Sequence, residues 1–181
     1  VIIAPDNDWG RRMTASLTQE WRTLGGQIKA EAYISADEPA SQYIAEMLGS
    51  SGSEARIKQL EAAFEPAVVT RARRRADIDS VFLLAPSPGE ARTLRPLLVF
   101  HYGGDLPIFA PSTVNGNSQN VGNQDLNGVR FVEIPAALNT PQLDRYTSLQ
   151  ALGRDAVMLT EHLDQSAQTT AAIARGETGL L

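Results

Sequence analysis

Short polar side chains follow three apolar runs of this sequence, and they are its best candidates for binding a ligand. The runs "VIIAP" (1–5), "VFLLAP" (81–86) and "PIFAP" (107–111) all end in Ala-Pro. If they are parallel strands, their carboxyl ends meet at the sheet edge where the ligands of such folds bind. Polar side chains there, together with the amides of helix N-termini, would form a pocket for a small ligand. The candidate ligand-binding residues are Asp6, Asn7, Trp9, Ser87, Ser112 and Thr113.

The same positions also have a purely structural explanation. Asp8 is a typical N-cap for a helix that begins at Trp9. The stretch "SPGE" has Ser87 at the N-cap, Pro88 at the first helical position and Glu90 at the third, which is a capping box. Proline cannot continue a central strand ladder, so each Ala-Pro ends its strand cleanly. Taken singly, each polar residue is explained more simply as a cap or turn former than as a ligand contact.

The catalytic motifs of comparable folds are missing from their expected places. "PDNDWG" stands where a dinucleotide site needs G-x-G-x-x-G, and neither a P-loop nor a G-x-S-x-G elbow is present. A phosphoacceptor domain needs an aspartate where Ala85 stands and a lysine where Pro135 stands. The chain has no cysteine, and His101 and His162 lack metal-ligand spacing. We therefore predict no catalytic residue, no metal site and no cofactor, and a structural role for His101.

Charge argues against a nucleic-acid partner, and hydropathy argues against a membrane-spanning helix. With 16 basic and 21 acidic residues the net charge is −5, which argues against nucleic-acid binding. The basic stretch "RARRR" (71–75) is interpreted as the solvated end of a helix that Pro66 opens. No apolar run approaches the roughly 18 residues of a membrane span.

Strand-like and helix-like segments alternate along the chain, which predicts an α/β fold: an open, mostly parallel, doubly wound sheet of about five strands with helices on both faces. The default strand order is 2-1-3-4-5. Pro39 is predicted to start one short helix, and Ser53 is predicted to cap the next. The strand-like segments are 1–5, 27–34, 77–85, 106–110 and 128–134. A later helix over about 145–164 is predicted to bury Leu149, Leu152, Ala156, Leu159 and Leu163.

The connection 113–128 is rich in Asn, Gly and Gln and is long for a compact domain. Connections of this kind are usually either functional or disordered, and the sequence does not choose between the two. As candidate contacts to a partner protein we name Asn115, Asn117, Asn120 and Asn123.

The stretches "RRRADIDSVFLLAPSPGEARTLRPLLVFHYGGDLPIFAPS" and "QDLNGVRFVEIP" resemble the LppC/LpoA family of penicillin-binding-protein activators. "APDNDWGRRM", "ALGRDAVML" and "GETGLL" are similar to further family segments. The resemblance implies a lobe, mainly the second, of a type I periplasmic-binding-protein-like domain. It also implies an outer-membrane lipoprotein in the periplasm that stimulates a class A penicillin-binding protein. The family's bulky "PWLL"-like segment is replaced here by Pro135-Ala136-Ala137-Leu138.

The chain is expected to be an excised piece of a longer protein, with its lipid anchor lying elsewhere. It is predicted to comprise an α/β lobe (1–135) and a second part (136–181) with return helices and the start of a strand toward another lobe.

Two functions remain possible at this point. The leading prediction is a non-enzymatic regulator of peptidoglycan synthesis that binds a class A penicillin-binding protein. The alternative is a periplasmic lobe that binds a small molecule, such as a wall fragment or an amino acid.

Overall fold

The computed structural model describes residues 1–63, 71–115, 121–138, 146–160 and 174–180. The chain divides into two compact units. The first unit comprises Val1–Gly116 and Val121–Phe131, and the second comprises Asn117–Asn120 and Val132–Leu181. The predicted division into 1–135 and 136–181 stays a prediction. Within the parts of the chain that the structure describes, no helix is both long and apolar enough to cross a bilayer.

The first unit is built on a five-stranded sheet in which every neighbouring pair of strands is parallel. The order β2-β1-β3-β4-β5 confirms the predicted fold class and topology. Ile3 at the centre of β1 pairs with Ala32 on one side and Leu83 on the other. The strands are shorter than the apolar segments: β1 Ile2–Pro5, β2 Glu31–Ile34, β3 Val81–Leu83, β4 Ile108–Ala110 and β5 Val129–Phe131.

Helices cover both faces of this sheet. The main core packs side chains of α2 and α4 against Ile3, Leu83 and Ile108. On the opposite face α1 packs against Ile2 and Ala4, because successive residues of a strand point to opposite faces. The helices are α1 Asp8–Thr23, α2 Ala40–Leu48, α3 Ser50–Ala63, α4 Pro88–Phe100, α5 Pro135–Leu138 and α6 Thr147–Thr160, with 3₁₀ turns at Ser112–Val114 and Val121–Leu126.

Two of the three predicted helix caps differ from the structure. Asn7, rather than Asp8, caps α1, since its side chain accepts the Gly10 N–H at 2.9 Å. Helix α3 begins at Ser50 instead of after Ser53, because the preceding helix already ends at its left-handed glycine and the chain re-enters a helix at once. The Ser87 cap is confirmed, with its hydroxyl accepting the N–H of Glu90 at 3.2 Å.

The arginine-rich stretch is not a helix end. Residues 71–75 have no regular secondary structure, and the Arg75 N–H donates to the Leu48 carbonyl at 2.8 Å. The Arg75 guanidinium pairs with both carboxylate oxygens of Asp77, each at 2.6 Å, and this bond lowers the pKa of Asp77 to about 2. Arg74 pairs with Asp105. Carboxylates of this chain therefore neutralise part of the patch, and the predicted helix start at Pro66 lies outside the described residues.

The second unit buries a different face of α6 than its sequence predicts. The buried residues of α6 are Thr147, Ala151 and Asp155, whereas Leu149 is 63% exposed and Leu152 is 58% exposed. Asp155 turns its face inward because its carboxylate binds the segment 174–180. Of the other residues on the predicted face, Ala156 is exposed, Leu159 is half-buried and Leu163 lies outside the described residues.

Candidate functional site

A pocket of about 520 Å³ opens at the carboxyl edge of the sheet, where β1, β2 and β3 end. Its position follows from the sequence, because Pro5 ends β1 and the next residues begin α1. Helix α4 begins at the same edge, after its Ser87 cap. The lining residues are Pro5, Asp6, Asn7, Ile34, Ser35, Ala36, Ala40, Leu84, Glu90, Thr93 and Leu94.

The polar side chains of this carboxyl-edge pocket are largely engaged in local bonds. Asn7 caps α1, and the Thr93 hydroxyl donates to the Gly89 carbonyl at 3.2 Å. Asp6 pairs with Arg11 at 2.5 Å. The pocket therefore offers mainly apolar walls, and we expect shape and apolar contact to decide what it accepts.

Two carboxylates, those of Asp6 and Glu90, line the pocket, and further acidic side chains act on the nearby Tyr43. The Tyr43 hydroxyl donates to the Glu38 carboxylate at 2.5 Å, and this bond is the largest cause of a raised pKa for Tyr43. Smaller contributions in the same direction come from burial and from the charges of Glu38, Asp6 and Glu46. Glu90 adds a further carboxylate on the pocket wall.

Only two of the six predicted ligand-binding residues, Asp6 and Asn7, line the pocket. Trp9 packs against the buried residues Ile2, Ala4 and Leu84 on the α1 side of the sheet. Ser87 caps α4. The Thr113 hydroxyl donates to the Ala85 carbonyl at 2.5 Å, which ties the turn after β4 to the end of β3. Ser112 is exposed. Of the four residues outside the pocket, Ser87 and Thr113 thus have backbone partners and Trp9 packs in the core.

The β4–β5 connection (112–128) is described in part. The N–H of Asn115 donates to the Ser112 carbonyl at 2.9 Å, and Asn115 is half-buried. Asn117, Asn120 and the side chain of Asn123 lie outside the described residues. Toward β5, Leu126 packs against the main core and the 3₁₀ turn that contains it contacts α4. Both ends of the connection are therefore attached to the first unit.

His101 is a buried residue between two serine hydroxyls. Its Nε2 lies 2.7 Å from the Ser41 Oγ, and its Nδ1 lies 3.1 Å from the Ser50 Oγ. The Ser50 hydroxyl also approaches the Ala45 carbonyl at 3.4 Å. Since a catalytic histidine of a nucleophilic triad is oriented by an acid, this serine–histidine–serine arrangement is better suited to joining α2, α3 and α4.

A second cavity, of about 530 Å³, was not predicted from the sequence. It runs along α1 beside the edge strand β2, and we call it the α1 groove. Thr14, Thr18 and Arg22 recur at intervals of four residues, which places them on one face of α1, and this spacing was the available signal. The lining residues are Arg11, Thr14, Ala15, Thr18, Gln19, Arg22, Glu31 and Tyr33.

Within the residues that the structure describes, no group of three or more His, Asp or Glu side chains is arranged to hold a metal ion.

Comparison with known proteins places the whole chain beside one group of envelope proteins. A family model described as "LppC putative lipoprotein" matches residues 1–181. A Vibrio antiquarius protein named penicillin-binding protein activator LpoA is 27% identical over 197 residues, covering 100% of this chain and 32% of that protein. The LpoA of Vibrio cholerae O1 strain N16961 is also 27% identical, over 195 residues, with the same coverage. The chain thus spans about a third of the length of these curated relatives.

Solved structures agree on the fold. The C-domain of Haemophilus influenzae LpoA, titled a regulator of PBP1A, superposes with a TM-score of 0.62 at 20% identity, over 99% of this chain and 52% of that one. A crystal structure of full-length LpoA from the same organism gives a TM-score of 0.65 at 20% identity, over 99% and 31%. At this identity the likeness extends to the fold alone.

Proposed function

This chain belongs to the LppC family, and on that basis we propose that it is part of a non-enzymatic regulator of peptidoglycan synthesis. The regulator binds a class A penicillin-binding protein directly and stimulates it. The observation that carries the proposal is the match over all 181 residues, joined to relatives named penicillin-binding protein activators across the whole chain.

The proposed location is the periplasmic side of the outer membrane. The family description as a lipoprotein supports a lipid anchor. Because the 181 residues contain no cysteine, the lipid would be attached to a residue outside them.

A non-catalytic role is supported by the way the reactive side chains are used. His101 is held by Ser41 and Ser50, and the Ser87 hydroxyl caps α4. The Thr113 hydroxyl is bonded to a strand-end carbonyl. The Ser87 and Thr113 hydroxyls are thus used in local structural bonds, and the two bonds of His101 go to serines and not to an orienting acid.

For the contact with the synthase we propose the β4–β5 connection. Its ends are fixed by the Thr113 bond and by Leu126 in the main core, which would present the segment between them from a rigid base. The amide side chains proposed to meet the partner are Asn115, Asn117, Asn120 and Asn123.

The test is binding of the 181-residue chain to the purified periplasmic part of a class A penicillin-binding protein from the same organism. We expect saturable binding by biolayer interferometry, with faster glycan polymerisation by the synthase. LpoA from Vibrio cholerae with its own synthase serves as the positive control. Failure of the chain to bind any class A synthase of its organism would overturn the proposal.

The contact surface is tested separately with alanine at all four asparagines of the connection. We expect this variant to keep its thermal unfolding midpoint and to lose binding. The matched control replaces two exposed amides elsewhere, Gln42→Ala and Gln59→Ala, and should bind as the unmodified chain does. If the four-asparagine variant folds and still binds, the contact lies on another surface.

The carboxyl-edge pocket supports a second candidate function, the binding of a small molecule. Its volume of about 520 Å³ is in the range of ligand pockets, and Asp6 lines it. Calorimetric titration with amino acids and muropeptide fragments would test this function. Asp6→Asn should weaken any binding, while Asp8→Asn, which changes an acid outside the lining, should not. Equal affinity in both folded variants would exclude the pocket as the site.

A further inference from the structure

The C-terminal end of α4 exposes three large apolar side chains close together. Val99 is 52% exposed, Phe100 is 71% exposed and Tyr102 is 43% exposed, and we call these three residues the α4 tip. Single exposed apolar residues are common on protein surfaces, but several together mark a site of contact. Phenylalanine and tyrosine are also enriched where proteins bind proteins. The α4 tip therefore has the composition of an interaction surface.

The backbone of Tyr102 has a conformation that favours glycine. Its φ is +65°, and no other non-glycine residue in the described ranges has a positive φ. Helix α4 ends in a Schellman motif, in which the Gly103 N–H donates to the Leu98 carbonyl at 2.7 Å. The Tyr102 N–H donates to the Val99 carbonyl at 3.1 Å. Glycine normally occupies the left-handed position of this motif, so a tyrosine there lowers stability, and a contact made by its ring would explain its presence.

The ring of Phe100 is oriented although it is exposed. It meets the His101 ring edge to face, with the ring centroids 4.9 Å apart and the planes at 88°. His101 is buried, and the Ser41 and Ser50 hydroxyls hold both of its ring nitrogens. A side chain that is already oriented loses less conformational entropy when a partner covers it. Phe100 is thus suited to enter an apolar pocket on a partner.

Positive charge lies close to the α4 tip. Ser50, in the first turn of α3, contacts the His101 ring. Three residues later the Ser53 hydroxyl accepts the Arg73 N–H at 3.0 Å, so the arginine-rich stretch passes the same helix end. Arg71 and Arg73 are exposed, and neither pairs with a carboxylate among the described residues. Unpaired cations beside an apolar patch are complementary to an acidic partner surface.

We propose that the α4 tip anchors the chain to an acidic surface of the class A penicillin-binding protein that contains an apolar pocket, an inference that rests on the proposed function. The tip complements the β4–β5 connection, whose asparagine side chains offer hydrogen bonds and no apolar anchor. Both lie on the same face of the sheet, because the 3₁₀ turn Val121–Leu126 contacts α4 and Leu126 packs against the main core. Aromatic anchors of this kind contribute most of the binding energy at protein interfaces.

The test measures binding of variants of the 181-residue chain to the purified periplasmic part of the synthase by biolayer interferometry. Phe100→Ala should weaken binding by about tenfold or more, as expected for an aromatic anchor. Its thermal unfolding midpoint should hardly change, because the removed ring is mainly exposed. Leu24→Ala removes an exposed apolar side chain at the end of α1 and should bind as the unmodified chain does. Unchanged affinity of Phe100→Ala would overturn this inference and leave the proposed function intact.

Tyr102→Gly separates a contact role of the tyrosine from a structural one. Because glycine suits the left-handed backbone, this variant should unfold at a temperature at least as high as the unmodified chain. It should nevertheless bind the synthase about tenfold more weakly. A lower unfolding temperature would show that the ring is structural, and unchanged affinity would place it outside the contact. Either result would overturn the role of Tyr102.

The double variant Arg71→Gln, Arg73→Gln tests the acidic character of the partner surface. It should slow association and reduce the dependence of the association rate on salt concentration. The control, Arg12→Gln with Arg22→Gln, removes the same charge from α1 and should associate as the unmodified chain does. An equal change in both double variants would show that only net charge matters and would overturn the acidic surface.

A second copy of the chain is the other occupant that the test addresses. Analytical ultracentrifugation of the unmodified chain and of Phe100→Ala would detect self-association. A dimer that Phe100→Ala dissociates would overturn the assignment to the synthase, whereas a monomer in both cases supports it. If the unmodified chain binds no class A synthase of its organism, the proposed function and this inference fail together.

Discussion

Each of the two units of this chain is stabilised internally by a different kind of interaction. In the first unit, aliphatic side chains from β1, β3, β4, α2 and α4 form a continuous buried core. In the second unit, the buried residues of α6 include the carboxylate of Asp155, and the large apolar side chains of Leu149 and Leu152 face outward. Apolar burial therefore organises the first unit, whereas a polar cluster organises the described part of the second.

The cluster in the second unit is centred on Asp155. Its carboxylate accepts the N–H groups of Glu177 and Thr178 at 2.7 Å each, and the Thr178 hydroxyl at 2.6 Å. Arg154 pairs with the Glu177 side chain beside it. One acidic residue thus satisfies two backbone donors of a distant segment, in the way that an N-cap satisfies a helix start. The difference between the units teaches that α6 is oriented by hydrogen bonds more than by hydropathy.

The largest effect is expected from Leu98→Ala in the first unit. Leu98 lies on α4, is fully buried and belongs to the main core. Removing its side chain should lower the free energy of unfolding by about 3 kcal/mol, within the range for buried leucines. Urea denaturation followed by circular dichroism would measure this loss. A loss below about 1 kcal/mol would mean that the core relaxes around the missing side chain.

The next effect is expected from Asp155→Ala, which tests the polar cluster. The amide groups of Glu177 and Thr178 would lose their acceptor, so segment 174–180 should detach from α6. Hydrogen exchange of these two amides should become fast, while exchange in β1 stays slow. Arg154→Gln is the control, because it removes only an exposed ion pair. Unchanged protection in Asp155→Ala would show that other contacts hold the segment.

The same cluster predicts a dependence on pH. The pKa of Asp155 is lowered, mainly by the bond from Thr178. A lowered pKa in the folded state stabilises the fold above the ordinary aspartate pKa of about 3.9. That contribution is lost as the pH falls through the lowered value. The amides of Glu177 and Thr178 should therefore lose protection at acidic pH and keep it at neutral pH, as NMR spectra recorded between these conditions would show.

A smaller effect is expected from Asn7→Ala, a polar contact of the first unit. Loss of its bond to the Gly10 N–H should cost about 1 kcal/mol, the usual value for an N-cap. Asn7→Asp keeps the acceptor and should be nearly neutral. Because the apolar core still holds α1 in place, the variant should have a lower free energy of global unfolding. No single segment should detach from the fold. Local fraying of α1 alone, seen by hydrogen exchange, would contradict that expectation.

The same contrast explains how much the sequence could predict. The sheet was predictable because β1, β3 and β4 are buried apolar runs that end at Ala-Pro, and the Ser87 cap because its bonds are local. The buried face of α6 was not, because Asp155 bonds residues 22 and 23 positions away. The α1 groove was not predictable from apolar periodicity, because Thr14 and Thr18, which line it, are polar.

The smallest effect is expected from Leu152→Ala, the counterpart of Leu98→Ala in the second unit. Because the Leu152 side chain is more than half exposed, its removal should change the free energy of unfolding by less than about 0.5 kcal/mol. The same urea denaturation measures both variants, so each controls for the other. A loss near that of Leu98→Ala would show that Leu152 is buried in solution and that apolar packing organises both units. A negligible loss would leave the apolar face of α6 without a part in the stability of this chain, as expected if hydrogen bonds to Asp155 set its orientation.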